Sequence, residues 1–254
     1  MFEEYIKLIK KLRKECPWDR KQTIASTRPL VIDEAYELEE AAREKNFDKI
    51  TEEIGDLLYT VFFLTRILEE KKKTSFKKIE NRIIKKLIKR HPHIFGKVKA
   101  KTAEQVLTNW EKIKSTNEKQ PMLSRIPKAL PALKRAQMIQ ERVARVGFDW
   151  EDREDVYRKI IEEIDELKEA IKEKKKRHVE EELGDLYFAL VNLTRHLKID
   201  AEHALNLANN KFIGRFNKLE QKFKDNEQNL HDATLAEMDK VWEEIKTKRK
   251  KKPH

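Results

Sequence analysis

Two sets of acidic side chains repeat along the chain with the same internal spacing. The sets are Glu34, Glu37, Glu53 and Asp56, followed by Glu163, Glu166, Glu182 and Asp185. Every member of the second set lies 129 residues after its counterpart in the first set. A single acid-x-x-acid pair means little in a chain with 46 Asp and Glu residues, so the repeated spacing is the informative feature. The chain therefore contains a duplicated unit built around carboxylates.

These carboxylates interrupt the apolar faces of predicted helices. Glu163, for example, lies between Ile160 and Leu167, at positions that share one helix face. Burying several like charges together is unfavourable unless a cation lies among them. Oxygen ligands without His or Cys at ligand spacing favour a hard ion, so the sequence predicts Mg²⁺, with Mn²⁺ as a substitute. Since Mg²⁺ commonly shares its coordination shell with substrate phosphates, the pattern also indicates a polyphosphate substrate.

The elements that must position these side chains are helices. The chain has only 5 Gly and 7 Pro, and long stretches are rich in Glu, Lys, Leu, Ile and Ala, which predicts an all-α protein. In each half, two acid-bearing helices are separated by a short break, at residues 45–47 and 172–177. Helices linked so closely are expected to pack antiparallel. Pro29 is predicted to open the first of them, because Pro suits a first helical turn.

The duplication predicts two tandem helical-bundle units. The first spans residues 1–116, a Pro-containing linker spans 117–134, the second unit spans 135–245, and a basic tail at 246–254 is expected to be disordered. Each half-bundle is expected to complete its core against another unit, which predicts a homodimer. Gly55 and Gly184 occupy the same position in the two units, and either helix packing or close approach of a bound metal and phosphate explains them.

The net charge of +11 is compatible with nucleic acid, an anionic membrane or a polyanionic small molecule as partner. Outside the tail the basic residues are scattered rather than interleaved with aromatic residues on one helix, so no specific nucleic-acid binding is expected. Because no apolar run approaches the length of a membrane span or signal peptide, we expect a cytoplasmic protein without membrane association. A single cysteine, Cys16, excludes an intramolecular disulfide framework and agrees with a reducing compartment.

Motifs distributed over nearly the whole chain resemble those of the MazG-type nucleoside triphosphate pyrophosphohydrolases. Besides the two acidic sets, they lie at residues 16–19 (Cys-Pro-Trp-Asp), 90–95 (Arg-His-Pro-His-Ile-Phe), 130–133 (Leu-Pro-Ala-Leu), 146–150 (Val-Gly-Phe-Asp-Trp) and around Trp242. The resemblance implies an all-α, dimeric hydrolase. It further implies cleavage of a nucleoside triphosphate, including deoxynucleotides as candidates, between the α and β phosphates to give the monophosphate and pyrophosphate.

The resemblance also implies roles for residues of the second half. In the family picture, Mg²⁺ is held by Glu163, Glu166, Glu182 and Asp185, and it neutralises phosphate charge and positions a water for in-line attack. Glu162 and Glu181 lie next to ligands and are candidate proton acceptors beside the nucleotide, with a solvated surface position as the alternative.

Cations and one aromatic residue complete the implied nucleotide site. Lys159, Lys211 and Arg215 are expected to contact the triphosphate. Trp242 is similar to a family residue near the nucleotide and is expected to stack on the base, with capping of the core as the alternative.

The first half carries a complete acidic set, and Lys86, Arg90 and Lys114 supply matching cations. Two active sites are therefore chemically possible. The second half is favoured as catalytic because it carries most of the activity in some family members. The first half would then bind nucleotide, regulate, or stabilise the dimer.

Two interpretations from other classes compete with the enzyme, namely a nucleotide-binding regulatory protein without turnover and a basic helical scaffold. The scaffold predicts acidic residues opposite the apolar stripe, whereas these interrupt it. His91 and His93, separated by a proline, are expected to form a structural turn rather than a metal site. The remaining histidines, including His178, form no recognisable cluster and receive no role.

Overall fold

The computed structural model describes residues 2–102, 105–106, 109 and 121–250. The chain divides into two compact units, Met1–Glu118 and Lys119–His254. Every regular element within the described residues is helical, and none of them forms a strand, which confirms the prediction of an all-α protein. No described helix combines the length and the apolar composition needed to cross a bilayer.

Unit 1 is organised around a hairpin of two long helices. Its helices with described bounds are α1 (Glu3–Glu15), α2 (Pro17–Lys21), α3 (Ile24–Glu44), α4 (Phe47–Glu70), α5 (Phe76–Arg90) and α6 (Pro92–Phe95). The hairpin partners α3 and α4 pack along each other and are joined by Lys45, which has a left-handed φ of 56°, and Asn46, whose side chain caps α4. The predicted break between the acid-bearing helices is thus confirmed.

The core of unit 1 forms where α1 crosses α4. Ile9 of α1 is buried with Phe63 and Ile67 of α4, and Tyr5 and Phe62 pack at its edge. This contact fixes the face of α4 that turns inward. Glu53 and Asp56 lie nearer the start of α4, which also packs along α3.

The prediction that Pro29 opens the first acid-bearing helix is wrong, because α3 begins five residues earlier at Ile24. Thr23 Oγ1 accepts a hydrogen bond from the Ser26 amide at 3.2 Å, and Ser26 Oγ accepts one from the Thr23 amide at 2.9 Å. This reciprocal capping box starts the helix ahead of the proline. An interior proline costs a helix about 3 kcal/mol, which the cap and the packing of α3 on α4 must offset.

Unit 2 repeats the plan of unit 1. After a 3-10 turn at Met122–Arg125 come α7 (Ala132–Ala144), α8 (Arg153–Glu173), α9 (Lys176–His196), α10 (Ala201–Asp225), a 3-10 turn at Leu230–Asp232 and α11 (Leu235–Lys250). The α8–α9 hairpin turns at Lys174, which has a φ of 57° and matches Lys45 of unit 1. Because both hairpins turn at equivalent points, equivalent side chains face each other within each hairpin.

The turn before α8 is attached to the end of α9. Arg195 pairs with Asp149 through both guanidinium nitrogens, one at 2.8 Å, and also donates to Asn192 Oδ1. Burial opposes ionisation of Asp149, but hydrogen bonding and charge from Arg195, together with His196, hold its pKa below the usual value. The conspicuous motif at residues 146–150 therefore has a structural function in this unit, since it fixes the approach to α8.

The basic tail is partly helical rather than disordered. Helix α11 continues to Lys250, five residues into the segment predicted to be disordered. Lys and Arg are good helix formers, and Lys246 pairs with Glu243 one turn earlier at 2.5 Å. The helix is therefore extended by local interactions that the charge run alone does not reveal.

Candidate metal and nucleotide site

The hairpin of unit 1 brings three carboxylates together. One oxygen each of Glu34, Glu37 and Glu53 lies within 4.8 Å of the other two, and we call this group the first cluster. Glu34 and Glu37 are one turn apart on α3, and Glu53 faces them from α4. Glu53 is only 6% exposed, whereas Glu37 faces solvent. The first cluster is thus buried at Glu53 and open to solvent at Glu37.

The hairpin of unit 2 forms the same arrangement. One oxygen each of Glu163, Glu166 and Glu182 lies within 4.8 Å of the other two, and we call this group the second cluster. Glu163 of α8 is 5% exposed and forms the buried part of the cluster, whereas Glu166 is exposed to solvent. Each cluster thus unites three of the four acidic positions singled out in the sequence.

The fourth predicted ligand of each set lies outside these close groups. Asp56 and Asp185 are both exposed and are not members of the clusters. Asp56 still acts electrostatically on Glu34 and Glu53, raising the pKa of both. A fourth carboxylate approaching three others without a cation is repelled, and the shorter Asp side chain reaches less far. The structure therefore separates the sets into three converging carboxylates and one that lies apart.

Crowding of like charges marks both clusters electrostatically. Burial, and then the neighbouring carboxylates, raise the pKa of Glu34 and of Glu53 above the usual value. The pKa of Glu166 is raised by burial and by Glu163 and Glu182, against an opposing influence of Lys159. All three groups are disfavoured as anions in the metal-free protein, which is the condition that a bound cation relieves.

Lys159 is the main difference in charge between the two clusters. Its Nζ lies 2.6 Å from Glu162 Oε1 and 2.8 Å from Glu163 Oε1, and hydrogen bonds to these two carboxylates raise the pKa of Lys159 above its usual value. The other oxygen of Glu163, Oε2, is buried and has no hydrogen-bond partner within the described residues. A buried acceptor without a donor is unfavourable, so this oxygen fits a cation ligand.

His178 belongs to this site although the sequence gave it no role. Its Nε2 lies 3.1 Å from Glu182 Oε1, and its Nδ1 lies 3.1 Å from Glu173 Oε2. The hydrogen bond to Glu173 and the charge of both carboxylates raise the pKa of His178, against an opposing effect of burial. The signal that could have identified it is spacing, because His178 precedes Glu182 by four residues, as Lys159 precedes Glu163.

The expected nucleotide contacts of α10 and α11 form a separate group. Arg215 lies over the ring of Trp242 with its guanidinium carbon 6.0 Å from the centroid, and Phe212 lies 5.1 Å from the same ring. Lys211 is exposed one turn before Arg215. Within the described residues, no hydrogen bond, ion pair or ring contact connects Lys211, Arg215 or Trp242 to the second cluster.

The other candidates occupy peripheral positions. Glu162 is held by Lys159, and Glu181 pairs with Arg177 at 3.0 Å, with more than half of each glutamate side chain exposed. Lys86 and Arg90 lie on α5, the helix after the hairpin of unit 1. Lys114 lies outside the described residues.

Two helical hairpins, each with converging carboxylates, define an all-α protein whose candidate centres suit a divalent cation bound through oxygen. The family model described as "MazG nucleotide pyrophosphohydrolase domain" matches residues 22–95 and 151–219, which contain both hairpins. The chain belongs to this family, and the resemblance inferred from the sequence motifs is confirmed.

Individual relatives match over most of this chain. The Thermotoga maritima protein named "Nucleoside triphosphate pyrophosphohydrolase/pyrophosphatase MazG" is 43% identical over 251 residues, covering 97% of this chain and 96% of that protein. The Escherichia coli K12 protein named "Nucleoside triphosphate pyrophosphohydrolase" is 41% identical over 239 residues, covering 91% and 90%. The Bacillus subtilis protein named "Uncharacterized protein YabN" is 39% identical over 96% of this chain and 51% of that protein. These matches extend across both units rather than one.

Proposed function

We propose that this chain is a Mg²⁺-dependent hydrolase that cleaves nucleoside triphosphates between the α and β phosphates, releasing a monophosphate and pyrophosphate. The observation that carries the proposal is the buried, unpartnered Oε2 of Glu163, a member of the group of three converging carboxylates. Its context is a family of nucleotide pyrophosphohydrolases, with relatives of that name aligned over both units.

Catalysis is proposed to take place at the second cluster. Glu163, Glu166 and Glu182 would hold Mg²⁺, with Asp185 as the fourth ligand and Mn²⁺ as a substitute ion. When bound, the ion supplies neutralisation of phosphate charge and orientation of the attacking water. A water molecule would form a new P–O bond at the α–β bridge while the bridging P–O bond breaks and pyrophosphate leaves. The proton of the attacking water would pass to a carboxylate, for which Glu162 and Glu181 are the candidates.

The cations and aromatic residues of unit 2 are proposed to bind the nucleotide. Lys159 Nζ is already held beside the cluster by Glu163, so it is placed to meet a phosphate oxygen. Lys211 and Arg215 would extend this positive charge along the triphosphate. Trp242, which is partly buried beside Arg215, offers an aromatic face for a base.

The contrast between the clusters favours the second one as the catalytic centre. The position of Lys159 corresponds to Leu30 in unit 1, so the first cluster lacks the lysine that would contact a phosphate. Lys86, Arg90 and Lys114 are the cations proposed for a nucleotide bound to unit 1. We propose a binding or regulatory role for that unit rather than turnover.

We also propose that two copies of the chain pair. Helix α5 has no buried residue, and its apolar residues Ile79, Ile83, Ile84, Leu87 and Ile88 are 41–46% exposed. This apolar stripe on a helix with a basic opposite face is what an uncovered subunit contact presents. A homodimer would bury it.

The proposed reaction predicts a specific pair of products. With Mg²⁺ and a mixture of nucleoside triphosphates, ³¹P NMR is expected to show pyrophosphate and monophosphate accumulating together. Orthophosphate with diphosphate would mean a different bond is broken, and unchanged substrate would favour the regulatory or scaffold alternatives. Glu182→Gln and its first-cluster counterpart Glu53→Gln form a matched pair, and the larger loss of product formation is expected for Glu182→Gln.

Gly184 provides a second prediction. A Cβ atom added at Gly184, or at Gly55, would have no described atom within 4 Å of it. Gly184→Ala should therefore raise the stability of α9 by about 1 kcal/mol, as measured by urea unfolding. The same methyl group lies next to Asp185, so it is expected to lower turnover if phosphate approaches the helix there. Gly55→Ala is the control, and an equal effect of both substitutions on turnover would contradict a special role for Gly184.

A further inference from the structure

We infer that Asp149, Asn192 and Arg195 are positioning residues for the proposed reaction, because they hold helix α8, and with it Lys159 and Glu163, in place against helix α9. The inference rests on the proposed function, since it concerns turnover at the second cluster. In the part of the chain that the structure describes, the side-chain hydrogen bonds and ion pairs of these three residues join them to one another, to His196 and to the backbone amide that follows Asp149. They therefore act on the cluster through the helices and not by contact.

The three side chains form one network at the end of α9. Arg195 binds both oxygens of Asp149, with its Nη1 2.8 Å from Oδ2. Its Nε and Nη2 also donate to Asn192 Oδ1, at 3.0 and 2.7 Å. Asn192 is 4% exposed and the side chain of Arg195 is 14% exposed, so the network is largely shielded from water. A guanidinium that binds a carboxylate through two nitrogens fixes the direction of approach as well as the distance.

The network closes the end of the α8–α9 hairpin that lies opposite the turn at Lys174. At that turn the two helices are joined directly by the chain. At the other end, Asp149 lies three residues before Asp152, the residue that caps α8, and Arg195 ties it to α9. A hairpin fixed at both ends holds the side chains between them in one register, which is what the second cluster needs from α8.

Unit 1 fills the corresponding place with apolar side chains. Asn192 and His196 lie 129 residues after Phe63 and Ile67 of α4, which are 3% and 1% exposed and pack on Ile9. Apolar packing stabilises without directional bonds, whereas a shielded ion pair contributes little net stability because its charges must be desolvated. Stability therefore does not account for the polar network of unit 2, and the fixed geometry of the approach to α8 does.

The arginine that corresponds to Arg195 does not tie the hairpin of unit 1. It is Arg66, which pairs with two glutamates of its own helix at 3.4 and 3.3 Å. A different residue, Arg13 of α1, reaches the segment before α3 and donates to the Gln22 carbonyl at 3.2 Å. Arg66→Met thus removes an equivalent charge without releasing the approach to a helix, which makes it the matched control.

The test compares Arg195→Met, Asp149→Asn and the double variant by steady-state release of pyrophosphate at saturating Mg²⁺. Each single substitution is expected to lower kcat about 10- to 100-fold, because a misplacement of about 1 Å remote from the reacting atoms has effects of this size. The KM for nucleotide should change much less than kcat, since Lys211, Arg215 and Trp242 lie on other helices. The double variant should lose no more than the worse single variant, because both changes break one network.

Two further variants separate positioning from folding. Arg195→Lys keeps the charge and should recover part of the lost kcat, whereas Arg66→Met should keep the kcat of the parent. Circular dichroism checks that each variant remains helical. Losses that multiply in the double variant, an equal loss in Arg66→Met, or an unchanged kcat with a lowered Tm in Arg195→Met would overturn the inference.

Hydrogen exchange of the backbone amides at residues 157–163 gives a readout that does not need turnover. Arg195→Met is expected to speed exchange there about tenfold and to leave exchange in α3 unchanged, because the released end of α8 opens locally. Unchanged exchange in α8 would overturn the inference. A parent protein that releases no pyrophosphate would instead refute the proposed function, and the exchange rates would still decide whether the network holds α8 in place.

Discussion

Glu163→Gln is expected to lower kcat/KM for Mg²⁺ and nucleoside triphosphate by more than about 100-fold. Loss of an outer-shell partner of a metal ligand typically costs 10- to 100-fold, and Glu163 is proposed to be a direct ligand with a buried, otherwise unpartnered oxygen. Gln keeps the shape of the side chain but not the charge. Steady-state measurement of pyrophosphate release over a range of Mg²⁺ concentrations checks the prediction, and partial rescue at high Mg²⁺ is expected.

The matched control for this substitution is Glu34→Gln, at the equivalent position of the first cluster. A smaller effect there would support catalysis in unit 2, whereas an equal loss in both variants would support two coupled centres. Asp185→Asn tests the fourth position, which lies outside the close group of three. Strong loss of turnover in Asp185→Asn means that this carboxylate joins the others when the ion binds. Full activity in both Glu163→Gln and Asp185→Asn would refute the assignment of the site.

Metal binding should stabilise the protein strongly at neutral pH and weakly in acid. A cation present at 100 times its Kd contributes about 2.7 kcal/mol to stability if it binds only the folded state. The carboxylates must be deprotonated to bind it, and burial together with neighbouring charges raises the pKa of Glu34, Glu53 and Glu166. We therefore expect a large increase of the apparent Tm with Mg²⁺ or Mn²⁺ at pH 7 and a much smaller one near pH 4.5.

Without metal, the contribution of the first cluster to stability should depend on pH in the opposite direction, being larger in acid than at pH 7. A carboxyl group whose pKa is raised in the folded state binds its proton more tightly there than in the unfolded chain. For Glu53, the resulting contribution to stability is complete below about pH 4.5, its ordinary pKa, and is lost as the pH rises through the raised value. Glu53→Gln removes this charge, so without metal the variant should have a higher Tm than the parent at pH 7. The advantage should disappear in acid.

Comparing the parent with Glu53→Gln separates the contribution of Glu53 to stability from the contributions of groups whose pKa is lowered in the folded protein. Asp149 and Glu70 have pKa values lowered by Arg195 and Arg13, so their contributions are lost as the pH falls. They are the same in both proteins and cancel in the difference. Thermal unfolding followed by circular dichroism, with a chelator or with Mg²⁺, provides both curves. A variant less stable than the parent at pH 7 without metal would contradict the electrostatic account.

Much of the helical organisation follows from local sequence. Lys45–Asn46 and Lys174–Lys175 end one helix and begin the next at the positions where the sequence indicated a break, because a short polar linker lets adjacent apolar stripes meet. Helix α3 begins ahead of Pro29, since the capping box at Thr23 outweighs the ordinary preference of a proline for a first turn. Helix α11 continues to Lys250 with support from the Lys246–Glu243 pair, which a run of charges does not reveal.

The sequence by itself determined the duplication, the all-α class, the family and the acidic positions of both candidate centres, because these depend on residue type and on spacing along a helix. Only the tertiary structure decided which three carboxylates converge and that Glu163 keeps an unpartnered buried oxygen. It also showed that Lys159 and His178 contact the second cluster, whereas no cation among the described residues forms such a contact with the first. Those features depend on how two helices of a hairpin face each other and on which side chains find partners across the gap. Spacing predicts that such side chains share a face, but burial and pairing arise only when the second helix packs against the first.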